Sequence, residues 1–134
     1  MSIKVVLNTK QVKEALEKNI EAALFAIGSL VETDAKLRTP VDTGALRANM
    51  GFDTDIKNKR VRIGNTLEYA IYVEKGTGIY AEDGNGRKTP WAYMNRKGDF
   101  VRTQGQKPQP FLTPAGEENI DKIVQIVAKY LRSL

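Results

Sequence analysis

The sequence lacks both cysteine and histidine. Without cysteine the chain has no disulfide and no thiolate, which fits a protein made in a reducing cytoplasm. Without histidine it lacks the commonest general base and the commonest metal ligand. Together the two absences exclude Ser-His-Asp triads, Cys-His dyads and the usual zinc sites.

Long apolar runs are also missing. No run approaches the roughly 20 residues that a membrane-spanning helix needs. The first residues carry no signal-peptide pattern, and the short apolar run Val5–Leu7 predicts a first strand instead. We therefore expect no membrane partner.

No cluster of carboxylates replaces the missing histidine. Asp53 and Asp55 lie two residues apart on one side of a predicted strand, but no third oxygen ligand lies nearby, which favours an exposed strand face over a cation site. The glycine pairs in Gly76–Gly78 and Gly84–Gly86 lack the rest of a phosphate-loop pattern and are typical of turns. We expect no catalytic residue, no metal, no cofactor and no enzymatic activity.

The chain carries an uneven positive charge. Its 134 residues, with a net charge of +5, are expected to form a single domain, 1–134. From Lys57 to Lys107 there are eleven basic and only five acidic side chains, whereas charges balance from Lys10 to Arg38. A basic middle segment suits a surface that faces DNA or an acidic protein.

A long apolar stripe opens the chain. Apolar residues recur at steps of three and four from Val12 to Leu37, which predicts one helix capped at Asn8 or Thr9. At 1.5 Å per residue this helix is roughly 45 Å long. It is too long to be covered by its own small domain, so either it runs along the whole sheet or part of its stripe contacts a neighbouring subunit.

A compact corner, Thr39–Arg47, follows the helix. Pro40 cannot continue a helix and moves Thr39 out of helical conformation. The Asp42 carboxylate is placed to accept from the free N–H groups near Gly44, so it predicts a cap for a short second helix.

The rest of the chain predicts an α+β fold. Alternating residues over Met50–Ile56 and Arg60–Ile63 predict a β-hairpin, while Leu67–Glu74 is open between a strand and a helical turn. A final helix is expected to start at Thr113 or Pro114, after a rigid extended segment, with an apolar face made by Ile120, Ile123, Val124, Val127 and Leu131. The expected architecture is a long N-terminal helix and a C-terminal helix packed on a small antiparallel β-sheet, with a variable loop or hairpin over residues 79–109.

A basic and aromatic segment lies within that insertion. Its candidate interface residues are Trp91, Tyr93, Arg96, Lys97, Phe100 and Arg102. Rings and cations together are typical of protein interfaces, and they also suit nucleic-acid binding, where rings stack on bases. A solvated loop with one aromatic side chain in the core is the third possibility.

Three segments, in order, carry a resemblance that spans nearly the whole chain. They are Thr39-Pro40-Val41-Asp42-Thr43-Gly44-Ala45-Leu46-Arg47, then Tyr69-Ala70-Ile71-Tyr72-Val73-Glu74-Lys75-Gly76-Thr77-Gly78 after a strand pair ending in Ile63-Gly64-Asn65, and finally Pro110-Phe111-Leu112-Thr113-Pro114-Ala115. This arrangement resembles the small head–tail joining, or tail-completion, proteins of long-tailed phages and prophages. The insertion between Gly78 and Pro108 resembles the variable region of that family.

The resemblance implies architectural roles for residues in each segment. These residues are Pro40, Asp42, Thr43, Gly44, Leu46 and Arg47 at the corner, Tyr69, Tyr72, Glu74, Gly76 and Thr77 in the second segment, and Pro110, Phe111, Leu112 and Pro114 in the third. An ion pair between Glu74 and Arg47, within or between subunits, is a further hypothesis.

The resemblance also implies a function. The protein is expected to be a structural morphogenesis protein of the virion, made in the bacterial cytoplasm. It is expected to form a homo-oligomeric ring at the neck or tail end, to contact neck and tail proteins, and to surround DNA without sequence-specific binding. The alternative, from the basic middle segment, is a small nucleic-acid-binding module.

Overall fold

A computed structural model of the chain describes residues 9–40, 44–95 and 97–132. Four predictions fall outside these residues: the strand at Val5–Leu7, the cap of the first helix at Asn8, the cap and corner roles of Asp42 and Thr43, and the interface role of Arg96. The described chain folds into mixed helix and strand, as the sequence predicts. In chain order the elements are α1 (Thr9–Arg38), α2 (Ala45–Ala48), β1 (Met50–Asp55), β2 (Arg60–Asn65), α3 (Ala70–Lys75), a 3-10 turn (Gly78–Tyr80), β3 (Trp91–Met94), β4 (Phe100–Thr103), α4 (Leu112–Glu117) and α5 (Ile120–Arg132).

Helix α1 is the element on which the rest of the fold packs. Its 30 residues confirm the long N-terminal helix, and both the β1–β2 hairpin and α5 lie against it. Its apolar stripe is uncovered toward both ends, where Val12 is 55% exposed and Leu37 is 74% exposed. The buried positions of the stripe are Ala23, Leu24, Ile27, Val31 and Ala35.

The β1–β2 hairpin confirms the first predicted strand pair. The strands are antiparallel, with Phe52 opposite Ile63 and the turn at residues 56–59. Gly28 allows the hairpin to approach α1, because a Cβ at this position would lie 2.3 Å from the Phe52 ring. The Phe52 ring also packs edge-on against Phe25, with centroids 5.3 Å apart.

The other face of this hairpin is charged. Asp53 lies opposite Arg62, and Asp55 lies opposite Arg60, so each acidic residue has a basic residue as its cross-strand neighbour. The Asn58 side chain donates to Asp55 at 2.7 Å, and this hydrogen bond lowers the pKa of Asp55. Both features favour the charged strand face over a cation site.

One core unites the three segments that carry the family resemblance. Leu46 comes from the first segment, Ala70 from the second, and Phe111 and Ala115 from the third. Phe111 and Ala115 have no exposed surface at all. These side chains meet Ile27, Val31, Ala35 and Met50 in the same cluster.

The sequence left Leu67–Glu74 open between a strand and a helical turn. In the structure most of this segment belongs to the short helix α3. Helical geometry places positions 70, 73 and 74 on one side of the chain. Ala70 and Glu74 are buried there, and Val73 packs partly buried against the core. A strand would turn Val73 and Glu74 to opposite faces, so packing favours the helix.

The prediction that an extended segment leads to one final helix, starting at Thr113 or Pro114, is wrong about where this helix starts. Residues 112–114 already form the first turn of α4, and the chain then breaks at Glu118 and Asn119 before α5 begins. Pro114 fits this first turn because the third residue of a helix needs no intrahelical N–H partner. The expected apolar face of α5 is divided, since Ile123 packs against the core whereas Ile120 and Val124 are largely exposed.

The insertion contains the predicted second hairpin, β3–β4, which forms a separate two-stranded sheet. Its base is fastened to the second segment, because the N–H of Thr77 donates to the carbonyl of Gln106 at 2.9 Å and the N–H of Gln106 donates to Thr77 Oγ1 at 2.9 Å. Gly78 adopts φ +63°, and a Cβ there would lie 1.9 Å from the Gln104 carbonyl oxygen. Only glycine allows this close crossing.

Candidate functional site

The corner after α1 is held by side chains that complete the end of the helix. The carbonyl of Lys36 accepts from Thr39 Oγ1 at 2.6 Å and from Arg47 Nε at 3.0 Å. Two donors at one carbonyl partly satisfy the last turn of α1, which otherwise ends in free acceptors. Pro40 follows directly and is half-buried.

The second half of the corner connects α2 to the β1–β2 hairpin. Gly44 adopts φ +79°, a left-handed conformation that favours glycine, and precedes α2. Leu46 is buried in the core, and its carbonyl accepts from Asn65 Nδ2 at 2.6 Å. Asn65 thus ties the end of β2 to the corner.

Glu74 connects the second segment to the third. One carboxylate oxygen accepts from the N–H groups of Phe111 at 2.7 Å and Leu112 at 3.0 Å. The other accepts from the N–H of Thr113 at 2.9 Å. These are the free donors at the start of α4, so a distant side chain caps this helix.

The environment of Glu74 sets its protonation. Burial by itself disfavours the charged form, but the three backbone donors outweigh that effect and lower the pKa of Glu74 below its ordinary value. The hypothesis of an ion pair between Glu74 and Arg47 is wrong within the chain. Glu74 is buried against Phe111–Thr113, and Arg47 donates to the end of α1.

The aromatic residues of the second segment face outward. Tyr69 is 45% exposed and Tyr72 is 58% exposed, with Ile71 also exposed between them. Ile71 and Tyr72 line a cleft of about 310 Å³ together with Trp91 of the insertion. Gly76 and Thr77 also line this cleft, just before the insertion.

The third segment is anchored by its central residues. Phe111 is fully buried, Leu112 packs partly buried against the core, and Pro114 is half-buried in the first turn of α4. Pro110, by contrast, is exposed. The N–H of Gln109 donates to the carbonyl of Val73 at 2.8 Å, which aligns this segment with the second one.

The candidate interface residues of the insertion lie on the second hairpin and mostly face solvent. Phe100 is 76% exposed and Tyr93 is 42% exposed; Lys97 and Arg102 are exposed as well. Trp91 is half-buried, and the Arg87 guanidinium lies over its ring at 5.5 Å from the centroid. The hairpin therefore presents apolar and basic side chains together.

A polar network at the α4–α5 break was not predicted from the sequence. Buried Asn119 donates to Asp34 at 2.7 Å and to the carbonyl of Ala115 at 2.7 Å. Arg38 bridges the same Asp34 and Glu118, so α1 is fixed to the start of α5. The asparagine between two helical stretches was the available signal, since asparagine favours helix starts.

The contacts of the described residues hold the elements of the fold together. Within ranges 9–40, 44–95 and 97–132 there is no group of three or more acidic residues placed to hold a metal ion. Every buried polar side chain in the same ranges has a hydrogen-bond partner. No helix in the described part of the chain is long and apolar enough to cross a membrane.

This combination of a shared rigid core and an exposed apolar hairpin is typical of proteins that act through contact surfaces. The family described as "Bacteriophage HK97-gp10, putative tail-component" matches residues 4–76, which is more than half of the chain. The chain belongs to this HK97-gp10-like family of phage tail components, and the matched range includes the first segment and most of the second. No curated protein and no solved structure matches it. The matched range ends at Gly76, shortly before the insertion over residues 79–109.

Proposed function

We propose that this phage tail component forms a ring at the head–tail junction or the tail end, and that the ring joins or completes the tail around the DNA channel. Its role is structural and non-enzymatic and needs no cofactor. Its partners are further copies of itself and the neighbouring neck and tail proteins. DNA passes through the ring without sequence-specific binding, and no membrane is involved.

Membership of the tail-component family carries this proposal. The distribution of apolar side chains supports it. Each of the three segments contributes apolar residues to one core, whereas the hairpin exposes Tyr93, Met94 and Phe100. Exposed apolar side chains grouped on one element are typical of a protein-contact surface.

A ring also explains why the molecule exposes apolar side chains on two different kinds of surface. A closed ring uses two different surfaces of each subunit, one meeting the next copy and one meeting the previous copy. The hairpin and the partly covered helices α1 and α5 offer such unlike surfaces.

The experiment removes the hairpin without disturbing the core. Trp91 and Thr103 are cross-strand partners, so residues 92–102 can be replaced by an Asn-Gly turn that closes the shortened hairpin. We expect this variant to keep its circular dichroism spectrum and its urea unfolding midpoint. Phage that carry it should make heads and tails that fail to join, or incomplete tails, when viewed by electron microscopy.

The control is Ala92→Ser, an exposed change that keeps the hairpin. It should give infectious phage at the normal titre. Infectious, fully tailed particles from the shortened-hairpin phage would contradict the proposal. So would loss of folding in the shortened variant, because the hairpin would then belong to the core.

A further inference from the structure

Helix α5 has an apolar stripe that its own chain leaves uncovered. The helix packs against the core through Ile123 and Ile126, which are partly buried. The stripe lies about 100° around the helix from these residues and is between 36% and 61% exposed. It consists of Ile120, Val124, Val127 and Leu131, at spacings of four, three and four residues.

The β3–β4 hairpin also exposes large apolar side chains on one face. Met94 and Phe100 are cross-strand partners, so both project from one face, where they are 59% and 76% exposed. Strands of this length extend about 13 Å, while the α5 stripe extends about 16 Å. A two-stranded sheet alone in water is marginally stable, so the hairpin gains from a partner surface.

The charges beside the two apolar surfaces are opposite. Lys97 and Arg102 are exposed near Phe100 on the hairpin and outnumber their acidic neighbour Asp99, which is also exposed. Glu117 and Asp121 are exposed at the α5 end that holds Ile120. An apolar contact bordered by opposite charges favours one orientation of docking and disfavours hairpin-to-hairpin contact, which would bring like charges together.

We propose that the β3–β4 hairpin of one copy docks on the α5 stripe of the next copy, with Phe100 over Val124 and Lys97 and Arg102 near Glu117 and Asp121. The inference rests on the proposed ring and names the contact that builds it. Because the two surfaces differ, each copy uses its hairpin toward one neighbour and its α5 toward the other, which closes a ring or extends a chain.

The absence of cysteine makes this contact directly testable by disulfide trapping. Phe100→Cys and Val124→Cys are made in separate proteins, tagged differently and oxidised together. They are mixed about 100-fold above the concentration at which the wild-type protein self-associates, because this offsets the loss of the Phe100 ring. We expect mixed dimers to exceed either homodimer at least about fivefold. The control pairs Val124→Cys with Leu37→Cys, which is as exposed as Phe100 but lies on α1 and not on the hairpin.

The double variant Phe100→Cys with Val124→Cys tests the same contact in tail particles isolated from infected cells. It should give a ladder of crosslinked copies there and in the concentrated protein. Homodimers in excess, a Leu37→Cys signal equal to that of Phe100→Cys, or no crosslink in both preparations would each overturn the contact.

Two kinds of substitution provide a second test. Loss of the apolar ring in Phe100→Ser should weaken self-association roughly 10- to 100-fold. Loss of the basic charge in Arg102→Glu should weaken it about two- to fivefold, and mixing this protein with the Asp121→Arg protein, which exchanges the charges across the contact, should restore it. Failure of the exchange to restore association overturns the proposed orientation.

The outcomes separate this inference from the proposed function. A ring seen by electron microscopy without the mixed crosslink overturns the hairpin–α5 contact and leaves the ring intact. Mixed crosslinks in open chains, with no ring in particles, support the contact and overturn the ring. A crosslink to a different virion protein at Phe100 identifies that protein as the occupant and also overturns the contact.

Discussion

The Glu74 carboxylate caps a helix that begins 38 residues later in the chain. It receives the backbone donors of Phe111, Leu112 and Thr113, and it is buried among them. Because Pro114 has no N–H, the first turn of α4 leaves few donors for water. A single side chain therefore fixes the third segment against the second.

Replacing Glu74 with Gln should lower the free energy of unfolding by about 1.5–3 kcal/mol. The amide of glutamine accepts with one oxygen only and turns an N–H group toward the α4 donors. Urea unfolding measures the change. Glu68→Gln, an exposed change just before α3, is the matched control and should stay within about 0.5 kcal/mol of the wild type.

Acid should weaken the fold through the same residue. Since folding lowers the pKa of Glu74, its stabilising contribution is complete above the ordinary value near 4.5 and is lost as the pH falls through the lower folded value. Unfolding midpoints from pH 6 down to pH 2.5 should fall less steeply in Glu74→Gln than in the wild type. Parallel pH profiles for the two proteins would contradict this role.

Helix α1 is the surface against which the β1–β2 hairpin, α4 and α5 pack. The β1–β2 hairpin crosses it at Gly28, and α5 lies along it, held by Asn119 to Asp34 at one end and by Asn19 to the Tyr130 carbonyl at the other. The uncovered parts of α1 and α5 are what remains after these contacts are made. They are the surfaces available for assembly.

Gly28→Ala should destabilise the protein by about 1–3 kcal/mol, although alanine is the better helix former. The added methyl group would overlap the Phe52 ring, which lies 2.3 Å from its position. Thermal or urea unfolding checks this expectation. Gly116→Ala in α4, where the new Cβ meets no atom within 4 Å, should instead stabilise by about 0.5–1 kcal/mol. Equal effects of the two substitutions would contradict the close-packing argument.

The charge of the whole molecule bears on the alternative of a nucleic-acid-binding module. Part of the positive charge of the middle segment is balanced on the β1–β2 hairpin, where Arg60 and Arg62 lie opposite Asp55 and Asp53. Of the remaining basic residues, Lys57, Lys59 and Lys75 lie outside the insertion, and the other six are spread over it. This distribution favours a surface that tolerates DNA over one that holds it.

We therefore expect weak binding of duplex DNA, with a dissociation constant of roughly 10⁻⁶ M or weaker at physiological salt. Filter binding across a series from 50 to 200 mM salt measures it. Nanomolar affinity that falls steeply with salt would favour the nucleic-acid-binding module. In that case Lys97→Gln and Arg102→Gln should reduce the salt dependence.

The sequence by itself determined the local elements and the family. The period of apolar residues predicts α1, alternation predicts the β1–β2 hairpin, and the three ordered segments indicate a phage tail component, because these signals are local and need no partner. The insertion was open between a loop and a hairpin. Tertiary structure decided what depends on distant residues. Helix α4 begins at Leu112 because Glu74 supplies its acceptors, α3 is helical because Ala70 and Glu74 are buried together, and part of the apolar face of α5 stays exposed because the core covers only one side of that helix.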